Sequence, residues 1–477
     1  MDSSVAVTEK ALKEIFAEQS DFQTQRLILD GAEFGLFYFD TLIDPYQVQE
    51  FILKPLQSRP HEAIRDSITI IDLTESTDLA AAAQAAVDGK TLLQRNGESL
   101  LYLLSADLKK ERAVNIPTNE RVLRGGNEAF IENIDTNLNL MRKLITSTEF
   151  IIKTYTIGKL SRTKVAVMYI KSVAQPSFVE ELDRRLNDID IDYVEAPGFL
   201  SELIHDNKFS LFPQLLVTER PDRARAYLME GKIVIATSGS PDALILPVSF
   251  WAFLQSPEDY QNGWLLGTMY RLLRLACLIL AIGLPAFYVS VCSFNPQLLP
   301  INFVNTLQSS LKYVTLPPLA EALSMMLLLE LLKEATIRLP SPIGQTVGVV
   351  GGIVIGTVVV QSNLVSNTMV IIVALTAVAS FTLPSYEMNS SIRILSYPAV
   401  VISAYFGLYG LAIYFMMIII YLCRMSSMGI PYFTPPFSFS ETKDTLFRAP
   451  IENHRKRPAE TAAGNPTRLR SPRSWKK

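Results

Sequence analysis

Ile343–Val360 reads IGQTVGVVGGIVIGTVVV, a run without a charged side chain. A helix of roughly 20 apolar residues spans a bilayer, so the run is read as a membrane helix. Glycines stand at Gly344, Gly348, Gly352 and Gly356, every fourth residue. In water that load weakens a helix; in lipid it forms a smooth ridge for close helix packing. At about 100° per residue, Thr346, Val350, Ile353, Thr357 and Gln361 gather on the opposite side. This mixed face rests in lipid in the simplest case; around a symmetric ring it lines a narrow path that opens on wetting. The ridge is expected to pack on Leu364–Leu383, leaving the Thr346/Thr357 face for the path.

Outward from this run, apolar residues dominate the second half of the 477-residue chain, whose mean hydropathy is +0.22. Further spans are predicted at Leu272–Phe294, Leu364–Leu383 and Tyr397–Cys423. Leu319–Ile337 is apolar but carries Glu321, Glu330, Lys333 and Glu334, which makes a lipid-facing span costly. It is read as not crossing fully. Glu321 and Glu330 lie nine residues apart, about 180° around a helix, so they cannot share a face. The first 270 residues hold 27 basic and 39 acidic side chains, the remainder 17 and 8, giving −12 and +9 and a total of −3. Arg271, Arg274, Arg424 and the basic tail flank the first and last spans. The positive-inside rule then places both termini in the cytosol and demands an even number of crossings, read as four.

The first half alternates strands and helices. Asn96-Gly97 between two apolar runs is a strong hairpin signal. Thr218–Arg223, TERPDR, reads as a helix start, with Thr218 able to cap and Pro221 suited to the first turn. The fold class is an α/β soluble N-terminal region of two subdomains, then an α-helical transmembrane bundle and a disordered basic tail. The boundaries are a lead at 1–30, subdomains at 31–110 and 120–255, a transmembrane domain at 271–424 and a cytosolic tail at 425–477.

Several chemistries are excluded. The cysteines, Cys277, Cys292 and Cys423, lie in apolar segments, and His61, His205 and His454 are far apart, so no metal-ligand spacing exists. Arg124-Gly125-Gly126 lacks both the phosphate-loop lysine and the dinucleotide spacing. No carboxylate pair comes with a pocket signal. The chain reads as a non-enzyme without cofactor, and a membrane already accounts for its basic tail without nucleic acid. Glu132 and Arg142 read first as solvated or cross-domain ion pairs.

The stretches Arg124–Ile145 (RGGNEAFIENIDTNLNLMRKLI), Ser210–Ile235 with its TERPDR, Leu254–Tyr260 (LQSPEDY) and Arg338–Gly356 are specific in combination. On them the chain resembles the A subunit of the GerA family of spore germination receptors, over roughly residues 120–435. Lys232, Ser238 and Gln261 depart from the usual pattern without disturbing the resemblance. It implies a subunit of the spore inner membrane that assembles with a transporter-like B subunit and a lipoprotein C subunit, self-associates, and passes cations on signalling. A relative of the SpoVAF type, a non-conducting regulator beside a dipicolinic acid channel, is the alternative. Arg124, Glu132, Arg142, Glu219, Arg220 and Arg223 are the subunit-contact candidates.

Overall fold

The computed structural model describes residues 4–59, 62–68, 70, 72–106, 117, 120, 122, 125–302, 304–305, 311–434, 444–457 and 463–468. The chain divides into two compact units. One comprises Met1–Lys208, Leu215–Val248 and His454–Lys477, the other Phe209–Gln214 and Ser249–Asn453.

In the first unit α1 (Ser4–Ile15) leads into β1 (Phe22–Leu29), β2 (Ala32–Phe39), β3 (Leu73–Ser76), α2 (Leu79–Val87), β4 (Lys90–Arg95) and β5 (Leu101–Ser105). All neighbouring strands pair antiparallel, in the order β1-β2-β4-β5-β3. The Asn96-Gly97 hairpin forms between β4 and β5 as expected. Val5, Leu12 and Phe16 of α1 pack with Phe37, Phe39 and Ala82 on one face of the sheet; Ile43, Ile52 and Ile64 cover the other with Phe34 and Leu36. Residues 1–30 are therefore no detachable lead, because α1 and β1 belong to this core.

The second subdomain repeats the plan. It runs through α3 (Ile134–Leu144), β6 (Phe150–Ile157), β7 (Thr163–Ile170), α4 (Pro176–Asn187), α5 (Pro197–Ile204), β8 (Leu216–Thr218), α6 (Pro221–Met229), β9 (Ile233–Thr237) and β10 (Ala243–Leu246). Its order, β6-β7-β9-β10-β8, is that of the first sheet strand for strand, again antiparallel. The likeness extends to sequence: LTESTD (Leu73–Asp78) leads up to α2 as VTERPD (Val217–Asp222) leads into the first turn of α6, and Gly-Lys follows each helix at Gly89-Lys90 and Gly231-Lys232. Both glycines have positive φ, 96° and 95°, a left-handed helix end that glycine adopts without strain. The architecture is thus a duplicated antiparallel sheet with helices, rather than a parallel α/β arrangement.

Arg142 joins the two sheets. Fully buried, it donates from Nε and Nη2 to the Asp21 carboxylate at 3.0 and 2.7 Å, and from Nη1 to the Phe150 carbonyl at 2.9 Å. Its guanidinium lies 4.4 Å from the Phe39 ring. The cross-domain ion pair is realised; the subunit-contact reading of Arg142 is corrected, since a residue enclosed in its own chain offers no surface charge.

Part of the tail expected to be disordered makes local contacts. Arg457 Nε donates to the Met229 carbonyl at 2.8 Å and Nη1 to the Asn465 and Thr467 carbonyls, while Lys456 and Thr467 form an antiparallel bridge. Residues 469–477 lie outside the described residues.

The second unit is helical: α7 (Trp264–Ser293), α8 (Pro318–Arg338), α9 (Ser341–Gln361), α10 (Asn367–Phe381) and α11 (Tyr386–Arg424). Among the described residues two helices, α7 and α11, are long and apolar enough to cross a membrane. Yet α11 is not straight. Gly407 has φ 62° and ψ −151°, outside the range open to other residues. Beyond it Tyr414 Oη donates to the Leu395 carbonyl at 2.7 Å, nineteen positions back in sequence. A straight helix separates such residues by about 28 Å, so α11 is a hairpin of arms 386–406 and 408–424. The single span expected at Tyr397–Cys423 is corrected accordingly: at Gly407 the chain reverses.

The second arm runs back along α7. A Cβ at Gly407 would lie 3.4 Å from Phe294, and one at Gly283 would lie 3.0 Å from Phe415. Tyr288 of α7 bonds Ser366 at the start of α10, Glu321 near the start of α8 bonds the same serine, and Lys333 lies over Phe381 at the other end of α10. These contacts order six helical segments in alternating directions: α7, α8, α9, α10 and the two arms. Both chain ends of the bundle therefore emerge at one end. There, Asp259 Oδ2 accepts from Arg271 Nε at 3.3 Å and Arg274 Nη1 at 2.7 Å, all three buried. Arg271 Nη1 also donates to the Asp444 carbonyl at 2.7 Å. Rings of Phe250, Trp251 and Phe433 close the same end.

Removing Arg142 should leave Asp21 buried without its counter-charge, a loss of about 3–5 kcal/mol. Arg142→Ala is expected to raise hydrogen exchange in β1 and β6 together; a rise in one sheet alone would contradict the bridge.

Candidate functional site

The glycine-striped helix α9 follows α8 after only Leu339-Pro340, so the two must pack antiparallel. A Cβ at Gly344 would lie 2.8 Å from the Thr336 carbonyl and one at Gly348 3.6 Å from Thr336 Cγ2; at Gly351 it would meet Leu332 at 2.9 Å. Part of the ridge thus faces α8 rather than Leu364–Leu383. The short link decides this: it brings α8 alongside before α10 can compete. Gly352 and Gly356 meet nothing within 4 Å. Thr346, Val350, Ile353, Thr357 and Gln361 are all exposed within the single chain. The Thr357 hydroxyl donates to the Ile353 carbonyl at 2.8 Å, so this polar group is satisfied inside its own helix.

Glu321 and Glu330 occupy two separate settings, as their half-turn offset requires. Glu321 is fully buried and its Oε1 accepts from the Ser366 amide at 2.6 Å and from the Ser366 hydroxyl. Glu330 pairs with Arg393 on the first arm of α11. Lys333 Nζ, one turn further along α8, lies 5.1 Å from the Phe381 ring. Residues 318–338 are a regular 21-residue helix in which Glu330 and Glu334 have arginine partners. Sequence reasoning missed Arg393, because the last span was begun at Tyr397; an arginine two residues before Leu395 in apolar sequence was the available signal. Ser366 and Tyr288 carried no signal beyond their polarity.

The remaining contact candidates lie in the first unit. Arg220 is buried and donates to both Asp222 carboxylate oxygens at 3.0 and 2.7 Å and to the Gly126 carbonyl at 3.0 Å. Arg223 pairs with Glu120, and the carbonyl of Glu219, itself buried, accepts from the Phe130 amide at 2.8 Å. TERPDR thus anchors the segment around Gly126–Phe130 to the start of α6. Arg223 stays charged: desolvation by burial opposes the cation, but Glu120 and Tyr227 outweigh it and raise its pKa. These arginines act inside the chain, which corrects their reading as surface charge anchors. Glu132 accepts through its carbonyl from the Gly239 amide at 2.9 Å, and Arg124 lies outside the described residues.

The family model for the Bacillus/Clostridium GerA spore germination protein matches residues 10–460. The chain belongs to the GerA family. It is 36% identical to spore germination protein A1 of Bacillus subtilis over 90% of each chain. It is 35% identical to spore germination protein B1 of the same organism, covering 89% of each. Among solved structures, the N-terminal domain of the A subunit of the Bacillus megaterium spore germinant receptor GerK3 matches 51% of this chain and 94% of its own, at 24% identity and a TM-score of 0.39. That score is too low to carry an argument. The relatives are spore germination proteins, which agrees with the non-enzymatic reading of this GerA-family chain.

Glu330 and Arg393 form the one bridge between α8 and α11 in which both charges lie within the bundle among the described residues. Glu330→Ala and Arg393→Ala are each expected to lower the thermal midpoint of the detergent-solubilised protein. The double variant should fall short of the sum by about 0.5–3 kcal/mol; strict additivity would show that the pair is not coupled.

Proposed function

We propose that this chain is the A-type membrane subunit of a spore nutrient-germinant receptor in the spore inner membrane. It assembles with a transporter-like B subunit and a lipoprotein C subunit, associates with further copies of itself, and contributes a gated cation path. Membership of the family over nearly the whole length carries the germination role. The exposed line Thr346–Val350–Ile353–Thr357–Gln361 on α9 supports the path. It is the outer face of a helix that leans chiefly on α8, so copies around a ring can present it to a common axis.

Six crossings, rather than four, follow from the alternating segments and the hairpin at Gly407. This count removes a conflict in the four-crossing scheme. With α8 as a full crossing, Lys333 and Arg338 fall at the same end as Arg271 and Arg424, as the positive-inside rule requires. The return of the tail to the unit that holds the N terminus supports cytosolic placement of both ends. The shortest segment, α10, is only 15 residues, about 23 Å, and is partly shielded from lipid by α7 and α8.

Three measurements test the reading. Cysteines placed at positions 10 and 468 should both resist a membrane-impermeant label applied from outside; labelling of one alone would break the even count. Gly352→Leu should reduce assembly, since its open side is then bulky, whereas Val350→Ala should assemble and leak monovalent cations without nutrient. If Val350→Ala and Thr357→Val both leave resting and triggered ion release unchanged, α9 does not line a path and a non-conducting scaffold takes its place.

A further inference from the structure

Where α4 ends, the first unit opens a groove of about 280 Å³, with Ile189, Ile191 and Leu203 as its apolar lining and Arg184, Asp188 and Asp190 among its charges. The apolar surface continues past it. Tyr193 and Phe199 have ring centroids 5.7 Å apart, and both are exposed. Leu203 stands one turn after Phe199 on α5. The Leu160 amide donates to the Asp192 carbonyl at 2.8 Å, which brings Leu160, 80% exposed, next to the same segment. Exposed apolar residues scattered singly need no partner; a contiguous patch rimmed by charge marks a binding surface.

The rim is acidic. Residues 180–206 carry nine carboxylates against Arg184 and Arg185, and residues 158–162 add Lys159 and Arg162, a net charge of −5. Both α4 arginines are already matched, by Glu181, Asp188 and Asp206, and Lys159 is matched by Asp190. Asp192, Glu195 and Glu202 are exposed and have no ion pair among the described residues. Such a surface repels anionic headgroups and suits an occupant that is both basic and apolar.

This chain carries one. Residues 469–477, LRSPRSWKK, hold four cations and no carboxylate side chain, with Leu469 and Trp475 as apolar groups. Their starting point is fixed in the same unit. The Gly464 amide donates to the Val173 carbonyl at 3.0 Å, three residues before α4 begins, and the Arg468 amide donates to the Arg455 carbonyl at 2.9 Å. From there α4 runs twelve residues, about 18 Å, and its other end borders the groove. Nine extended residues span up to about 30 Å, enough to follow α4 to the groove.

We propose that residues 469–477 dock on the acidic groove beside α4 and α5 of the same chain. Trp475 is the apolar anchor for the surface of Tyr193, Phe199 and Leu203, and the arginines and lysines meet Asp192, Glu195 and Glu202. The contact engages cations otherwise free for anionic lipid, and it does not depend on the conduction reading.

The test is zero-length carbodiimide coupling on the detergent-purified full-length chain, which joins an amine to a carboxylate in contact with it. Peptide mapping should find Lys476 or Lys477 joined to Asp192, Glu195 or Glu202. In a mixture of chains of natural and heavy isotopic composition, both halves of each joined peptide should come from one chain. The links should persist when the chain is placed in phosphatidylglycerol bilayers. Trp475→Ser leaves every reactive group in place and touches neither sheet; it should cut the yield about tenfold, as loss of a central aromatic anchor does. Absence of these links, links only between different chains, their loss in phosphatidylglycerol bilayers, or an unchanged yield in Trp475→Ser each overturns the proposal.

Discussion

Asp259 is a carboxylate enclosed in protein, and an enclosed charge must be matched where it stands. Two arginines of the first helix match it, and one of them also reaches the backbone of the segment that follows the last helix. That requirement holds the entrance and the exit of the bundle at one end. The alternation of directions in between, and the reversal at Gly407 that makes the count even, are the geometry that satisfies it. LQSPEDY in the sequence is thus first of all the carrier of a structural counter-charge.

The first unit obeys a different logic. Two copies of one five-stranded plan have diverged at the same place, the turn before the helix that follows the third strand of each sheet. In the first copy, Asp78 simply caps α2 through the Ala80 amide. In the second, Arg220, Asp222 and Arg223 hold a separate loop against the helix start. The duplication provides the frame, and the specialisation lies in which copy gained the arginines. Arg142, a cation buried between the sheets, then ties them together through a planar fork that lysine does not offer.

Much of this was legible in the residues. The Asn96-Gly97 hairpin, the TERPDR helix start and the helix over Ile343–Val360 rest on local rules, and local rules are written in sequence. What was missed depends on pairing across distance. Phe22–Leu29, FQTQRLIL, alternates too weakly to declare an edge strand, and it becomes one only beside Ala32–Phe39. Glu330 was counted as free, while its partner Arg393 stands 63 residues away. Arg142 and Arg220 looked like surface charges because nothing in their neighbourhood reveals that Asp21 and Gly126 arrive from elsewhere. Gly407 gave no warning, because a glycine within a helix and one that reverses it are spelled alike.

The strap formed by Arg457 has a thermodynamic side. Because Val248 and His454 both belong to one folded unit, residues 249–453 form a tethered ring rather than a free-ended chain. Closing a loop of that length in advance removes on the order of 5 kcal/mol of chain entropy, by the logarithmic law for flexible loops. Helices that come apart within the ring cannot diffuse away, and their return is a unimolecular event. A bundle built this way tolerates weak individual contacts, including a peripheral glycine-rich helix, without drifting irreversibly out of register.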